Sequence, residues 1–219
     1  MSDSKKIAII LHVYYIDLWD YFEKKFKNLE TPFDLYITLC DEVEDISSQI
    51  LKSFPKAIVY KYPNKGQDIG PFLKVIKDIR HKDYDYLIKL HTKKSENFEL
   101  KYQPKKGALW RDELVNSLIS SDKTITNNIS ILEETEHKMC GSKKWLRENN
   151  SFIGGTMFMV DFKILSSCLT DELIDKWYAK MPRGYVQDHS FTHTVERLLG
   201  KLIIDKGYKI KGVNFCDIS

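Results

Sequence analysis

Lys89, His91 and Lys93 stand at alternate positions where an apolar run, residues 84–90, gives way to a polar loop. Alternate residues of an extended chain share a face, so three nitrogen-bearing side chains would gather at one strand end. Such a cluster suits an anion, a pyrophosphate in particular. A solvated charged loop is the ordinary alternative, but a lysine inside the apolar end of a buried strand is costly unless an anionic partner answers it. Trp110-Arg111, further along, offers a guanidinium to the same anion. Three other polar segments have similar placements. His12, Tyr14 and Tyr15 close the apolar run that starts at Ile7, either as aromatics packed on a neighbouring strand or as a stacking wall for a nucleotide base. Residues 64–72 combine Asn64, Gly66, Asp68 and Pro71 ahead of an apolar helical stripe. They fit an ordinary turn with Asp68 as helix cap, or a helix start whose free N–H groups face a phosphate or a sugar hydroxyl. Near the end of the chain, Asp188 sits where a late helix should begin, with His189, His193 and Glu196 together on one face. That triplet has the residue types of a metal site, whereas capping by Asp188 and an ion pair between Glu196 and Arg197 are the plainer readings.

The elements that must hold these groups alternate between strand and helix. Residues 6–13, 33–40, 57–61 and 84–90 read as strands, the first as a run buried on both faces. Between them, Leu18, Phe22 and Phe26 recur at steps of four, an acidic segment over 41–52 can start a helix, and Phe72, Leu73, Ile76 and Ile79 form a third stripe. Four β-α units imply a mostly parallel sheet with helices on both faces. Ligands of such sheets bind beyond the carboxyl ends of the strands, where the polar segments fall. The second half is less regular: a helix is expected near 109–120, an irregular charged stretch over 136–150, a strand over 152–160 that opens with Gly154-Gly155, a helix over 188–204 and a last strand over 208–213.

With 219 residues and 42% hydrophobic content the chain can build one sizeable core, and a single domain over 1–219 is expected. Lys and Arg number 34 against 31 Asp and Glu. Balanced charge, together with six acidic and no basic residues from Glu30 to Ser48, argues against a dedicated nucleic-acid binder. The four cysteines are widely spaced without a CxxC pair, which fits reduced thiols rather than a zinc cluster or a disulfide framework. No apolar stretch is long enough to cross a membrane, and the apolar run from Ile7 lacks the features of a signal peptide.

Taken in order, HVYY at 12–15, NKGQDIGPFL at 64–73, YDYLIKLHTKKS at 84–95, LWRDEL at 109–114, FIGGTMF at 152–158 and ERLLG at 196–200 resemble the rhamnan synthesis F family. These are glycosyltransferase-like proteins of bacterial cell-surface polysaccharide assembly. The resemblance implies a single GT-A-like, Rossmann-like α/β domain, with residues 1–95 as the nucleotide-sugar-binding half and 96–219 as the acceptor-side half. It also implies transfer of a sugar, of the rhamnose or galactofuranose class, from a uridine or thymidine diphosphate donor to a glycan or lipid-linked glycan acceptor. Other polysaccharide-assembly proteins would be partners, and the setting would be the cytoplasm or the inner face of the plasma membrane. The alternative is a non-catalytic nucleotide-sugar- or glycan-binding module serving a larger synthase.

Metal-dependent relatives of this fold carry an Asp-x-Asp pair just after the strand corresponding to 84–90, where this chain has Lys89, His91 and Lys93. Cations in place of carboxylates predict transfer without a divalent metal or other cofactor. Under this reading Lys89, His91 and Lys93 hold the donor diphosphate and Arg111 assists. Asn64, Gly66 and Asp68 line the donor pocket, His12 and Tyr14 face the nucleotide, and Gly154 and Gly155 let backbone approach a sugar. Asp188, at the start of a late helix, is the expected catalytic base, with Glu196 in reserve.

Overall fold

The computed structural model describes residues 5–94, 104–186 and 190–214, with the side chains of 104–107 excepted. Apolar runs became strands where expected: β1 (Ile7–Val13), β2 (Asp34–Cys40), β3 (Ile58–Tyr62) and β4 (Tyr86–His91). Between them run α1 (Trp19–Lys27), α2 (Ser47–Ser53) and α3 (Ile69–Ile79). The second half contributes α4 (Pro104–Ile119), α5 (Asp122–Glu134), β5 (His137–Ser142), β6 (Leu146–Arg147), β7 (Phe152–Ile153), β8 (Phe158–Asp161), α6 (Phe162–Cys168), α7 (Asp171–Lys180), α8 (Phe191–Asp205) and β9 (Lys209–Val213).

Seven strands form one sheet in the order β3-β2-β1-β4-β8-β5-β9. Strands β3, β2, β1 and β4 are mutually parallel, as are β5 and β9; β8 runs antiparallel between β4 and β5. The protein is therefore mixed α/β with a mostly parallel central sheet. Alternation along β1 divides the core. Ile7, Ile9, Leu11 and Val13 pack with α1, α2, α4 and α5 on one face, while Ala8 and Ile10 meet α3 and the later helices on the other. Each fully buried Ile or Leu adds ~1.5–3 kcal/mol of transfer free energy, so both layers are held to the sheet.

Three expectations need correction. The stretch read as irregular, 136–150, contains β5, whose sequence His-Lys-Met-Cys-Gly-Ser lacks an apolar run yet is buried from Met139 to Ser142 because β8 and β9 flank it. The strand expected over 152–160 is broken in two, because Gly155 (φ 87°) and Thr156 (φ 51°) turn the backbone left-handed between β7 and β8. The helix over 41–52 shrinks to α2, since the acidic residues 41–45 precede it in a turn. Among the described residues Cys40, Cys140 and Cys168 are free thiols, and no helix is long and apolar enough to cross a membrane.

Candidate functional site

The chain leaves β1 toward β2 and β3 on one side of the sheet, and β4 flanks β1 on the other. Loops diverge at such a switch point and open a crevice beyond the strand ends. A cleft of about 210 Å³ lies there, bounded by groups from β1, β4, the loop before α3 and Tyr185.

Its floor is an ion pair. Lys89, in β4, is 1% exposed, and its ammonium donates to Asp68 Oδ2, to the Thr156 carbonyl at 3.0 Å and to Thr156 Oγ1 at 3.1 Å. An ammonium has three protons, so all are used. Asp68 Oδ2 also accepts from Thr156 Oγ1 at 2.6 Å. Burial alone would raise the Asp68 carboxyl, but His91, Lys89 and the hydrogen bonds from Lys89 and Thr156 hold it well below the carboxylate range. Asp68 makes no cap bond to α3; its side chain turns to the lysine instead. The positive φ of Thr156 aims both of that residue's oxygens at the same ammonium.

One step nearer the strand ends, Thr38, His12 and His91 lie side by side across β2, β1 and β4. His12 Nδ1 and Thr38 Oγ1 are 2.9 Å apart. His91 Nε2 donates to the Gly155 carbonyl at 2.8 Å, and the Gly155 N–H donates to Glu196 Oε1 at 2.8 Å, which ties β4 to α8 through the turn. Burial drives both imidazoles down, His12 to about 3 and His91 to about 4, against the opposing pull of Asp68. Both rings are therefore neutral at pH 7. Burial raises the Glu196 carboxyl, with Asp68 adding to the effect.

The rim carries the groups that border the opening of the cleft. Thr92 Oγ1 accepts the backbone N–H groups of Tyr14 and Tyr15, at 2.9 and 3.0 Å, and so fixes the aromatic corner. The two rings meet edge to face, with centroids 5.1 Å apart. Lys93 lies past the end of β4, its ammonium 4.0 Å from the centroid of Trp110. No carboxylate lies within ion-pair reach of Lys93 among the described residues, and burial lowers its affinity for its proton. Lys94 pairs with Asp17 at 2.5 Å. On the opposite rim Asn64 Nδ2 donates to Glu42 Oε2 at 3.2 Å and Gln67 Nε2 to the Val186 carbonyl at 3.2 Å. Tyr185 stands 73% exposed beside them.

Of the residues singled out in the sequence, His12, Tyr14, Asn64, Asp68, His91 and Lys93 border the cleft. Lys89 does not reach it as a free cation, because Asp68 and Thr156 consume its three donors. Lys93 also departs from the face that Lys89 and His91 share, since the chain has left the strand and its side chain crosses toward α4. Arg111 is turned away: α4 points it at α1, where it lies over the Tyr21 ring at 4.4 Å and donates to Asp112. Gly66 (φ 74°) is a turn residue behind the cleft, its N–H on the Pro182 carbonyl and Met181 packed so close that a Cβ would meet Sδ at 2.2 Å. Gly154 approaches Trp145 and Arg147 rather than a ligand, and a Cβ on Gly155 would meet Leu114 Cδ1 at 3.0 Å. Arg197 pairs with Glu148 at 2.9 Å, not with its neighbour Glu196. Asp188 and His189 lie outside the described residues, and the late helix is described from Phe191. Among the described residues no cluster of His, Cys, Asp and Glu could hold a metal ion.

Thr38, Gln67, Thr92, Thr156 and Tyr185 escaped the sequence reading. Thr92 and Thr156 carried a legible signal, as hydroxyls inside the motifs at 84–95 and 152–158; what the sequence does not show is the pairing of Thr156 with Lys89, which only the fold brings about.

A model of the family described as rhamnan synthesis protein F matches residues 1–138. Two proteins called uncharacterized protein WxcX, from two strains of Xanthomonas campestris pv. campestris, are 22% and 24% identical over 96% of this chain and 33% of their own length. The chain thus spans about a third of the length of the curated relatives it matches. Solved structures with a loose likeness include 4-diphosphocytidyl-2C-methyl-D-erythritol synthase from Anaerococcus prevotii, 12% identical over 96% of this chain and 87% of that one, at a TM-score of 0.49. Another is glucosyl-3-phosphoglycerate synthase from Mycobacterium tuberculosis, solved with manganese, UDP and glucosyl-3-phosphoglycerate, 9% identical over 91% and 77% at a TM-score of 0.41. The family model covers every element from β1 through α5, including the strands whose ends frame the cleft, and on that match the chain belongs to the rhamnan synthesis protein F family.

Proposed function

We propose that the chain is a glycosyltransferase of bacterial cell-surface polysaccharide synthesis, moving a rhamnose- or galactofuranose-class sugar from a nucleotide-diphosphate donor to a glycan or lipid-linked glycan. Family membership supports the pathway. The observation that carries the chemistry is Lys93: a cation at the cleft with an aromatic ring beneath it and no carboxylate within ion-pair reach among the described residues. A diphosphate supplies the missing anion. In this reading Lys93 and Lys94 take the phosphates, Tyr14 and Tyr15 wall the nucleoside, and Asn64 and Gln67 meet donor hydroxyls. Lys89 and Asp68 brace the floor without touching the donor. Asp188 is the proposed base, and Glu196, held by the Gly155 N–H, orients the turn or takes the base's place. The chain's own cations do the work of a divalent metal, so transfer should survive a chelator. Work at the cytoplasmic face of the membrane follows from where activated donors are made.

The assay is transfer by the purified chain. Asp188→Asn should keep donor binding and lose transfer by on the order of a hundredfold or more. Normal transfer by Asp188→Asn with a dead Glu196→Gln would reverse the two roles, and abolition by EDTA with rescue by manganese would end the metal-free reading. The fraction of the relatives' length covered favours one other reading, a donor- or glycan-binding module that needs a larger synthase. Binding of a nucleotide sugar without any turnover by the isolated chain would select it.

A further inference from the structure

Both ring nitrogens of His91 point at backbone carbonyl oxygens: Nε2 at Gly155 O, 2.8 Å away, and Nδ1 at Thr92 O, 3.2 Å away. A carbonyl only accepts, and a neutral imidazole carries one N–H. The shorter contact assigns that proton to Nε2, which leaves the Nδ1 lone pair facing a second oxygen in a site where His91 is only 7% exposed. Two N–H groups would satisfy both carbonyls; only the imidazolium has them. His12, next to it, has no such need, because its Nδ1 partner is the Thr38 hydroxyl, which can donate or accept.

The charges around His91 explain why the free protein keeps the ring neutral. Lys89 on β4 and Lys93 just beyond it oppose a further cation, and His12 on β1 adds no negative charge. Asp68 before α3 favours protonation but is already engaged by Lys89. Glu196 on α8 is held by the Gly155 N–H on the far side of the turn. Burial then tips the balance to the neutral form. An anion seated against His91 in the cleft changes that sum.

We propose that the donor's diphosphate enters this cleft together with one proton, which His91 takes from solvent at Nδ1 and donates to the Thr92 carbonyl. The proposal rests on the nucleotide-sugar reading above and extends it. His91 makes no direct bond to the ligand. It is a positioning residue whose positive charge exists only while an anion is bound, and it falls neutral again as the anion leaves. The hydrogen-bond geometry is already built for the charged ring, so no rearrangement is required. Because the bound state holds the extra proton, affinity must fall as pH rises, by up to about tenfold per pH unit between the free and the bound pKa of His91.

The test is calorimetric titration of the full chain with UDP-glucose, UDP-galactose, dTDP-rhamnose and GDP-mannose. Their diphosphate diesters do not titrate near neutrality, so any proton taken up belongs to the protein. Each titration is run at pH 6.5 in two buffers of different ionisation enthalpy. Uptake approaching one proton, lost in His91→Gln, is the expected result; glutamine can still donate to Gly155 O but cannot titrate. Wild-type protein labelled with ¹⁵N in its histidine rings gives the same answer without a substitution, through one ring that becomes doubly protonated on ligand addition. Binding without uptake, or with uptake unchanged in His91→Gln, overturns the proton coupling and leaves the nucleotide-sugar reading standing. Failure of all four sugars to bind wild-type protein overturns both.

Discussion

Replacing Lys89 by methionine keeps the length of the side chain and removes its charge. Asp68 would then sit at the floor of the cleft with the Thr156 hydroxyl as its remaining close donor, at 2.6 Å. Breaking one side of a buried ion pair costs about 3–5 kcal/mol, because an uncompensated charge stays behind. In a chain of this size each kcal/mol lowers the melting temperature by about 2–4 °C, so Lys89→Met should melt roughly 6–20 °C below wild type. Removing both charges in Lys89→Met/Asp68→Asn should recover much of that loss. The deficit should also depend on pH with a definite sign. Without the lysine, the Asp68 carboxyl rises from its wild-type position toward what burial favours, with His91 and the Thr156 hydroxyl alone still pulling it down, so the variant's folded state takes up a proton more readily than wild type's. Stability relative to wild type then improves as pH falls from 8 toward 5. Thermal melts of the three proteins at several pH values read all of this. A Lys89→Met protein that melts within about 2 °C of wild type but no longer binds donor would show the lysine to be a ligand, and the floor described above would be wrong.

Lys93→Ala removes a cation with no carboxylate partner among the described residues, so donor affinity should drop by about tenfold or more while the melting temperature moves by only a few degrees; titration calorimetry and a melt measure the two separately. Gly155→Val places a β-branched residue at φ 87° with its Cβ against Leu114, and should cost at least about 1–3 kcal/mol as well as loosening the ties to His91 and Glu196; a denaturation midpoint equal to wild type would contradict this. His12 and His91 are depressed to about 3 and about 4, so their contribution is complete above the unfolded value near 6.5 and is lost on acidification. Between pH 7 and pH 5 each should withdraw about 2 kcal/mol, and urea midpoints that do not move over that range would refute the neutral, buried state of the pair.

Much of the first half of the fold was legible because its strands are apolar on both faces and its helices carry single stripes. A polar strand such as β5 was not legible, since its burial comes from β8 and β9 and from no property of its own residues. The site shows the same division. The demand that Lys89 find an anion follows from its place in an apolar strand, and Asp68 meets that demand from 21 residues away. From the sequence Asp68 reads as a helix cap or as a residue lining a pocket, and neither reading contains the lysine, because local spacing cannot see across the sheet. Arg111 went wrong for a similar reason. Its position in the chain is compatible with the cleft, but the rotation of α4 decides its direction, and that rotation is set by Leu114, Val115, Leu118 and Ile119 entering the core beside α1.

The insertion of β8 between β4 and β5 bears on how the chain reaches this state. Strand β4 is complete by His91, but its outer edge gains a partner only when residues 158–161 are present. Until then a largely apolar strand, interrupted by Lys89, presents open backbone donors and acceptors to any other copy of the chain, the usual template for edge-to-edge aggregation. Lys89 lies in the middle of that edge, in register with Phe158. A foreign strand docking there would have to bury the ammonium before the two oxygens of Thr156 arrive to receive it. The charge that braces the finished cleft would thus also oppose premature edge-to-edge pairing before β8 is in place.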